Sequence, residues 1–589
     1  MKRLFLIVTT LAIVCAQALA QSSRESRQGR AGQRRADPIT GRIISDTGQP
    51  IANARVGLNS LARSSQGYRT VNADEDGRFR FDDLAPGLYN ITPNAAGYTT
   101  AGESTEPKYY RPGDNVEITL IKGGVITGMV TSPTGEPVVA VQVRAIRVRD
   151  GEGRPVRSQQ QPTIDRQTDD RGVYRLYGLK PGSYIVQAGG RSLYYYSTQF
   201  INAYAEDVPT FFPSSTRDDA AEVTVRSGEE ISGIDIRYRG ERGHAVSGRI
   251  TSALPPEVSN SYFPVLLVHA SSGFIQSQAQ ADFRSGNGSF AFYGVPDGDY
   301  VLVARRSGYE DQKGVSSPRI PVKVKGADVT GLEVKVAPLG VIAGRVVIER
   351  AQATDKKTKC EIKRPLSAEE TIVNLRFDDN EKRDDLSSFY ISGMRSMPNE
   401  KGDFVLYDLE PGRYYIAMKP IDENYYVRAI KLAAEGQSKP PQDAARNGIS
   451  VKQGERIADL TITIAEGAAS LSGRVITSKE GERLAESLRV HLIPAEKEST
   501  DDLLRFYEAT AQGDGSFALN NVAPGRYLIL ARAISDKDKD GARPLARDPL
   551  ARMNLRREAE AANLSIELQP CQRVSDFTVR YSKSVGSRQ

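Results

Sequence analysis

The sequence predicts an all-β protein built from five tandem β-sandwich domains. Three observations predict it: one spaced motif recurs five times, apolar and polar residues alternate around each copy, and turn residues are abundant, with 52 Gly and 31 Pro in 589 residues. Alternation with a period of two is typical of a strand with one buried face. A chain this long exceeds what one core supports, so several domains are expected.

The motif consists of Gly, an aromatic residue at +2, an apolar residue at +4, Leu or Val at +7, Gly at +10 and Tyr at +12. The first Gly closes a polar turn in which a positive φ favours glycine. Pro precedes the second Gly in four copies, which favours a type II turn, whereas the third copy has Asp297 there. The Tyr resembles the tyrosine corner of Ig-like sandwiches, whose hydroxyl is tied to nearby backbone. We therefore interpret these turn and corner residues as structural rather than ligand-binding: Gly77, Gly87, Tyr89, Gly172, Gly182, Tyr184, Gly288, Gly298, Tyr300, Gly402, Gly412, Tyr414, Gly515, Gly525 and Tyr527.

Two further markers frame each copy and predict the domain boundaries. Each domain opens with a strand around a Gly, as at Gly41 or Gly473, and closes with a turn followed by an alternating strand. In the last domain Cys571 occupies the turn position, and Asp548 and Pro549 predict a short inserted helix that continues from Arg552 to Ala562. The predicted domains, called modules 1 to 5 below, are 38–123, 124–242, 243–339, 340–467 and 468–589.

The N-terminus predicts export. Residues 1–20 combine a basic start, an apolar run at 4–16 and the small residues Ala18-Leu19-Ala20, as in a signal peptide. A lipoprotein anchored at Cys15 is the less favoured alternative, because the bulky Val14 precedes it. Residues 21–37 are predicted to be a disordered basic linker, a spacer in preference to a contact with anionic envelope polymers. No later stretch is apolar enough to anchor the chain in a bilayer.

Module 1 resembles a known family. It contains Gly48-Gln49-Pro50-Ile51 and Ala54-Arg55-Val56 before the motif, and module 2 repeats the first element as Gly135-Glu136-Pro137-Val138. This pattern is similar to the carboxypeptidase regulatory-like domain, a transthyretin-like, Ig-like sandwich of seven strands. The resemblance extends over the mature chain, although modules 3 to 5 keep only the core motif. It implies the fold and export to a bacterial envelope but no activity, since the family's catalytic zinc lies in a separate peptidase domain.

The sequence offers no catalytic or cofactor set. Its three histidines, His244, His269 and His491, have no zinc-ligand spacing. There is also no Gly-x-Ser-x-Gly elbow and no phosphate-binding Gly loop. We therefore predict that the protein is not an enzyme and has no cofactor.

Two acidic loops resemble calcium loops, but neither is predicted to hold a metal. Asp536, Asp538 and Asp540 match the first half of an EF-hand loop, whose twelfth position is Arg547 rather than a carboxylate. The loop at 72–83 reaches a carboxylate at its twelfth position, yet the equivalent turns of the other modules do not require a metal.

Two features leave alternatives open. Module 2 has an insertion rich in Tyr and Phe, which is either an exposed recognition patch or, as we favour, a long loop folded back over the sandwich. Its aromatic residues are Tyr194, Tyr195, Tyr196, Phe200, Tyr204, Phe211 and Phe212. Cys360 and Cys571 remain after removal of the signal peptide, and sequence alone does not decide whether they pair.

Together these observations predict a non-enzymatic, exported binding or scaffold protein in the periplasm, at the cell surface or secreted. Its partner would be an unknown envelope protein or polysaccharide. The mild net charge of +6 argues against a nucleic-acid partner. The alternative is carbohydrate binding, which the starch-binding-like members of the fold group and the 26 tyrosines support, while the absence of Trp weakens it.

Overall fold

The structure is a computed structural model. It describes residues 37–61, 67–102, 108–156, 164–190, 203–252, 262–283, 287–308, 314–350, 360, 362, 364–378, 395–433, 440–477, 484–485, 488–533 and 548–581. The chain separates into two compact units, one ending at Leu120 and one beginning at Ile121, with residues 96–104 belonging to the second. The predicted signal peptide and nearly all of the basic linker lie outside the described residues.

The strands of module 1 are short and alternate between buried and exposed residues. They are β1 (Ile39–Ser45), β2 (Arg55–Ser60), β3 (Arg69–Asn72), β4 (Arg78–Phe81), β5 (Tyr89–Asn94), β6 (Tyr98–Thr100) and β7 (Asn115–Lys122). β1 lies between β4, which is antiparallel to it, and β7, which is parallel to it. β2 lies between β3 and β5 in a second sheet. Leu58, Phe81 and Tyr89 fill the space between the sheets and are almost completely buried.

Modules 2 and 3 repeat this arrangement. Module 2 contains β8 (Gly124–Thr131), β9 (Gln142–Arg149), β10 (Ile164–Gln167), β11 (Val173–Leu179), β12 (Gly182–Ala188), β13 (Thr210–Phe211), β14 (Val223–Val225), β15 (Glu230–Ile231) and β16 (Ile236–Arg237). Module 3 contains β17 (His244–Ile250), β18 (Tyr262–His269), β19 (Ile275–Asp282), β20 (Ser289–Val295), β21 (Gly298–Arg306), β22 (Val315–Ser316), β23 (Ile320–Val324), β24 (Val329–Val334) and β25 (Ala337–Pro338). In module 3 a bridge between β19 and β20 joins the two sheets along one edge.

Modules 4 and 5 carry the helical insertions. Module 4 contains β26 (Gly340–Glu349), β27 (Val373–Phe377), β28 (Arg395–Ser396), β29 (Asp403–Leu409), β30 (Gly412–Ala417), β31 (Tyr425–Leu432), β32 (Gln442–Asp443), α1 (Ala444–Asn447), β33 (Ile449–Val451) and β34 (Arg456–Glu466), with a 3-10 turn at Ala368–Glu370. Module 5 contains β35 (Ala469–Thr477), β36 (Leu488–Pro494), β37 (Tyr507–Thr510), β38 (Ser516–Val522), β39 (Gly525–Ala533), α2 (Pro549–Ala562), β40 (Ser565–Leu568) and β41 (Arg573–Tyr581), with 3-10 turns at Lys497–Ser499 and Leu503–Arg505.

One topology recurs in all five modules and confirms the predicted all-β tandem fold. The opening strand pairs antiparallel with the motif strand and parallel with the closing strand, as β26 does with β29 and β34. The Gly of the opening strand lies opposite the aromatic residue at +2 of the motif. These pairs are Gly41 with Phe79, Gly128 with Tyr174, Gly248 with Phe290, Gly344 with Phe404 and Gly473 with Phe517.

A close backbone approach explains why a Gly recurs in every opening strand. A Cβ on Gly41 would lie 2.3 Å from the carbonyl oxygen of Val116 in the closing strand, and a Cβ on Gly473 would lie 1.8 Å from that of Phe577. Gly128, Gly248 and Gly344 face the same obstruction at 2.1–2.3 Å. Any side chain here would force the parallel strands apart. Glycine usually weakens a strand, but at this position the close pairing of the two strands requires it.

Separate apolar cores lie inside modules 2, 3, 4 and 5. Each contains the motif positions +2, +4, +7 and +12, for example Phe290, Phe292, Val295 and Tyr300 in module 3. The cores of modules 2, 4 and 5 are built from the equivalent residues. Burial of this apolar surface is the main stabilising contribution in each sandwich. The predicted domain boundaries themselves stay a prediction.

The helix predicted in the last module is present as α2. The Asp548 side chain accepts hydrogen bonds from the amides of Leu550 and Ala551, Pro549 occupies the first turn, and Asn563 ends the helix with φ 51°. Leu555 and Ala559 pack against Ile493 of β36. Among the described residues, no helix has the length and apolar character needed to cross a membrane.

The conformation of the Pro-Gly pairs differs from the predicted type II turn. Gly182, Gly412 and Gly525 have φ between 147° and 155°, far from the value of about 80° that a type II turn requires at this position. Each is instead the first residue of a strand, β12, β30 or β39. The turn prediction was wrong because the strand that follows extends back through the Gly, which tolerates this φ.

Candidate functional site

The five motif tyrosines make the same hydrogen bond. Each hydroxyl donates to the backbone carbonyl four residues earlier: Tyr89 to Ala85 (2.8 Å), Tyr184 to Lys180 (2.6 Å), Tyr300 to Pro296 (2.9 Å), Tyr414 to Glu410 (2.6 Å) and Tyr527 to Ala523 (2.6 Å). This is the geometry that a tyrosine corner requires. The rings are at most 4% exposed, so they are not available to a ligand.

The first Gly of the motif also has the backbone expected of it. Gly77, Gly172, Gly288, Gly402 and Gly515 all have φ between 63° and 85°. In module 2 the turn before Gly172 is closed by Asp169, whose carboxylate accepts from the amides of Arg171 and Val173. These residues shape the turn and present no open coordination site.

The three histidines lie in separate surroundings. His491 is 3% exposed in β36, and burial lowers its pKa to about 3, so the ring is neutral near pH 7. His269 shares a hydrogen bond with Gln276 and packs on Tyr300, and burial lowers its pKa as well. His244 lies beside Asp297 and Asp328. Within the described ranges, no group of three or more His, Cys, Asp or Glu side chains is placed to hold a metal ion.

The structure describes only one of the two acidic loops that resemble calcium loops. Asp536, Asp538 and Asp540 lie outside the described residues. In the loop at 72–83, the Asp74 carboxylate accepts from the amides of Asp76 and Arg78, and the Asp76 carboxylate pairs with the Arg78 guanidinium. Turn closure and an ion pair thus occupy these carboxylates.

The described part of the module 2 insertion lies against the sandwich. Tyr204 packs edge-on against Tyr238 with 5.6 Å between ring centroids, Phe211 is 6% exposed, and Phe212 packs on the core. Tyr194, Tyr195, Tyr196 and Phe200 lie outside the described residues.

Asp408, a residue within the motif of module 4, lies at the joint of modules 3 and 4 and is 5% exposed. Its carboxylate accepts a 2.7 Å hydrogen bond from the amide of Gly308, and its backbone carbonyl accepts a 2.8 Å hydrogen bond from the Arg305 guanidinium. Arg305 is itself buried and also pairs with Glu410. A buried charge that is paired and hydrogen-bonded in this way fixes the geometry of its surroundings.

Modules 4 and 5 are joined at the equivalent position, Asn521. Its side-chain amide donates to the carbonyls of Asp422 (2.9 Å) and Tyr425 (2.8 Å), and it is 7% exposed. Nearby, the Arg573 guanidinium pairs with Glu423 at 2.9 Å. This joint therefore has buried hydrogen bonds at its centre and an ion pair at its edge.

A disulfide bond crosses the same joint. Cys360 of module 4 is bonded to Cys571 of module 5, with 5.3 Å between their Cα atoms. The structure thereby decides the pairing that the sequence left open. Cys571 has φ 61°, and its amide donates to the carbonyl of Gly467 in the segment between β34 and β35.

Modules 2 and 3 meet at the corresponding residue, Gly294. A Cβ there would lie 3.0–3.1 Å from backbone atoms of residues 205–207. The amide of Gly243 donates to the carbonyl of Glu206. Backbone packing takes the place of the side-chain hydrogen bonds used at the other two joints.

The joint residue is position +6 of the motif, which our reading of the sequence did not single out. All five residues at +6 have positive φ: Asp83 (55°), Gly178 (78°), Gly294 (68°), Asp408 (64°) and Asn521 (58°). Only Gly, Asp and Asn occur there, which are the residue types that adopt this backbone at low cost. That restriction is the signal in the sequence that would have identified the position.

An open groove of about 720 Å³ lies on the outer face of module 3. It runs across β17, β20 and β19, and its polar lining includes Ser247, Arg249, Gln280, Asn287, Ser289 and Glu333. Tyr293 lies in the same groove and is 49% exposed. Arg249 and Glu333 form a 2.9 Å ion pair, so the groove carries little net charge.

The fold and these contacts define a class of protein. It is a tandem Ig-like β-sandwich protein with structural tyrosine corners and with specific contacts between neighbouring modules. Residues 38–120 match the model of the carboxypeptidase regulatory-like domain. The chain thus carries a carboxypeptidase regulatory-like domain as the first of its tandem sandwiches. No curated protein matches the chain.

Several solved structures are similar to parts of the chain. The TIE protein of Bacillus anthracis has 14% identity, covers 51% of each chain and has a TM-score of 0.14. The minor pilin of Streptococcus agalactiae has 15% identity over 37% of this chain and 99% of that one, with a TM-score of 0.19. Two B repeat units of the collagen-binding protein of Staphylococcus aureus have 11% identity over 73% of this chain and 100% of that one, with a TM-score of 0.13. At these values the partners of those proteins are not transferable to this chain.

Proposed function

We propose that the protein is a non-enzymatic, exported scaffold that holds binding surfaces at set positions in the cell envelope. The observation that carries the proposal is the set of three joints that connect modules 2 and 3, modules 3 and 4, and modules 4 and 5. The side chains of Asp408 and Asn521 form hydrogen bonds with the preceding module, and the Cys360–Cys571 disulfide adds a covalent link. Modules that move independently of one another do not need such contacts. A scaffold in which neighbouring modules keep a fixed relative orientation depends on them.

Tandem sandwiches held in this way place several surfaces along one chain. Repeated weak contacts then multiply, because the second contact forms at a high effective concentration once the first has formed. A partner that is itself extended or repetitive, such as an envelope protein or a polysaccharide, suits this arrangement. The basic stretch at 21–37 would act as a spacer before the first module.

Distances between spin labels on modules 3 and 5 test the scaffold proposal. Labels at the exposed positions Asp299 and Asp514 avoid the joints. In the protein with its disulfide formed, we expect pulsed electron paramagnetic resonance to give one narrow distribution of distances between the two labels. A broad distribution would show that the joints do not hold the modules, and the scaffold proposal would then fail.

Localisation and partner are tested in the native cell. Fractionation with an antibody against module 3 should recover the chain in the envelope or the medium, shortened at its N-terminus by about the length of a signal peptide. Crosslinking in the intact envelope should then yield a reproducible partner. Recovery of the full-length chain in the cytoplasm would contradict the export proposal.

Carbohydrate binding is the second candidate, and the groove of module 3 is the observation that favours it. An exposed Tyr ring beside neutral hydrogen-bonding side chains is a surface on which a sugar ring can stack and bond. A polysaccharide array probed at physiological salt tests this candidate, with Tyr293→Ala as the groove variant and Tyr68→Ala as an exposed-tyrosine control in module 1. Binding lost only in Tyr293→Ala would favour carbohydrate, whereas no binding by the wild type would leave a protein partner.

A further inference from the structure

A small, largely enclosed cavity lies at the joint of modules 2 and 3. Its volume is about 20 Å³, enough for one water molecule or one monatomic ion. Module 2 contributes Arg144, Gln187, Pro209, Phe211 and Arg217 to its lining, and module 3 contributes Phe274, Ile275, Gln276, Ser277, Tyr293, Gly294 and Val295. No carboxylate lines it.

Two residues that line this cavity each have a donor without a hydrogen-bond partner. Nη1 of Arg217 and Oγ of Ser277 are both inaccessible to solvent and unbonded in the described part of the chain. Ser277 is only 4% exposed. An unbonded donor in such a place is energetically unfavourable, so native structures usually supply it with an acceptor.

The charge at the cavity is also unbalanced. The Arg144 guanidinium makes two hydrogen bonds to Asp165, at 2.7 and 3.0 Å, which compensate its charge. Arg217 instead lies over the Phe274 ring, with its guanidinium carbon 3.9 Å from the ring centroid. The nearest acidic neighbour along the chain, Asp218, is exposed to solvent. The residues that line the cavity therefore supply no counter-charge to the half-buried guanidinium of Arg217, and Asp218 lies outside the lining.

We propose that this cavity binds a monatomic anion, chloride under ordinary conditions. The ion would accept hydrogen bonds from Arg217 Nη1 and Ser277 Oγ and would compensate the charge of the half-buried guanidinium. Because its two donors come from different modules, the bound anion would also fasten module 2 to module 3. The proposal is independent of whether the protein acts as an envelope scaffold.

Crystals grown in bromide test the identity of the occupant. We expect an anomalous peak at bromide energies in this cavity, within hydrogen-bonding distance of Arg217 and Ser277. An ordered water without anomalous signal, or an empty cavity, would overturn the proposal.

Thermal unfolding of the full mature chain tests the same site in solution. When sodium gluconate is replaced by sodium chloride at constant ionic strength, we expect the transition that includes modules 2 and 3 to rise by about 3–5 °C at ten times Kd. Arg217→Gln and Ser277→Ala should each lose this rise, and Ser277→Ala removes only a hydroxyl if Arg217→Gln folds poorly. Arg226→Gln, at an arginine whose side chain is 83% exposed, should keep it. An equal rise in all four proteins would indicate a general salt effect and overturn the site.

Discussion

The carboxylate of Asp408 in module 4 accepts a 2.7 Å hydrogen bond from the backbone amide of Gly308 in module 3. Asp408 has φ 64° and lies in the bulge that ends the motif strand of module 4. The motif thus has two roles, since it closes its own sandwich and also presents a residue to the module before it.

Replacing Asp408 tests this second role. Asp408→Asn keeps an acceptor oxygen and a residue type that tolerates positive φ, so we expect little change. Asp408→Ala loses the acceptor for the Gly308 amide and strains the backbone, and we expect a loss of about 2–3 kcal/mol in the unfolding transition of modules 3 and 4. Urea denaturation measures it, and equal stability of the two variants would contradict the assigned role.

Reduction of Cys360–Cys571 should loosen the joint between modules 4 and 5 without unfolding either core. We expect Cys571→Ser to broaden the distribution of distances between labels on these two modules, because the joint then has only non-covalent contacts such as those of Asn521 and Arg573. Asn521→Ala in the reduced protein should broaden it further. An unchanged distribution after both changes would show that neither contact determines the joint.

Removal of one corner hydroxyl should destabilise its own module. Tyr300→Phe leaves the Pro296 carbonyl without the donor it has in the wild type, and we expect a loss of about 1–2 kcal/mol in the unfolding of module 3. Tyr293→Phe, in the same module but half exposed, should change the stability little. Equal effects of both variants in denaturant unfolding would argue against the corner.

The stability of module 5 should fall as the pH falls below about 6.5. His491 has a pKa near 3 in the folded chain against an ordinary value of 6.5, so the unfolded chain binds a proton that the folded one does not. At pH 5 this difference costs about 2 kcal/mol. Burial raises the pKa of Glu508, which acts in the opposite sense and offsets part of the loss at lower pH. The urea midpoint between pH 7.5 and 5 measures the effect, and His491→Gln should flatten it; the same slope in both proteins would contradict the assignment.

The predicted boundaries imply that residues 243–339 fold alone. Their apolar core is formed within that range, from Val246 to Val336. We expect this fragment to show a cooperative unfolding transition and dispersed amide resonances. A fragment without such a transition would show that module 3 needs its neighbours, and the boundary proposal would be wrong.

The repeat of module topology was predictable because local patterns encode it. Alternation at +2 and +4, the turn Gly and the corner Tyr each reflect a constraint within about a dozen residues of chain. The helix α2 was predictable for the same reason, since Asp548 and Pro549 act on the first turn alone. The type II turn at Pro-Gly was predicted wrongly because pairing with a neighbouring strand determines that backbone.

The sequence by itself therefore determined the all-β tandem fold, the corner tyrosines as candidate structural residues and the helix of module 5. Only the tertiary structure decided that Cys360 pairs with Cys571, that Asp408 and Asn521 bond to the preceding modules, and that Arg217 and Ser277 line the same small cavity. The physical reason is distance along the chain. Each of these contacts joins residues about 60 to 210 positions apart, and no local pattern carries information about such a partner.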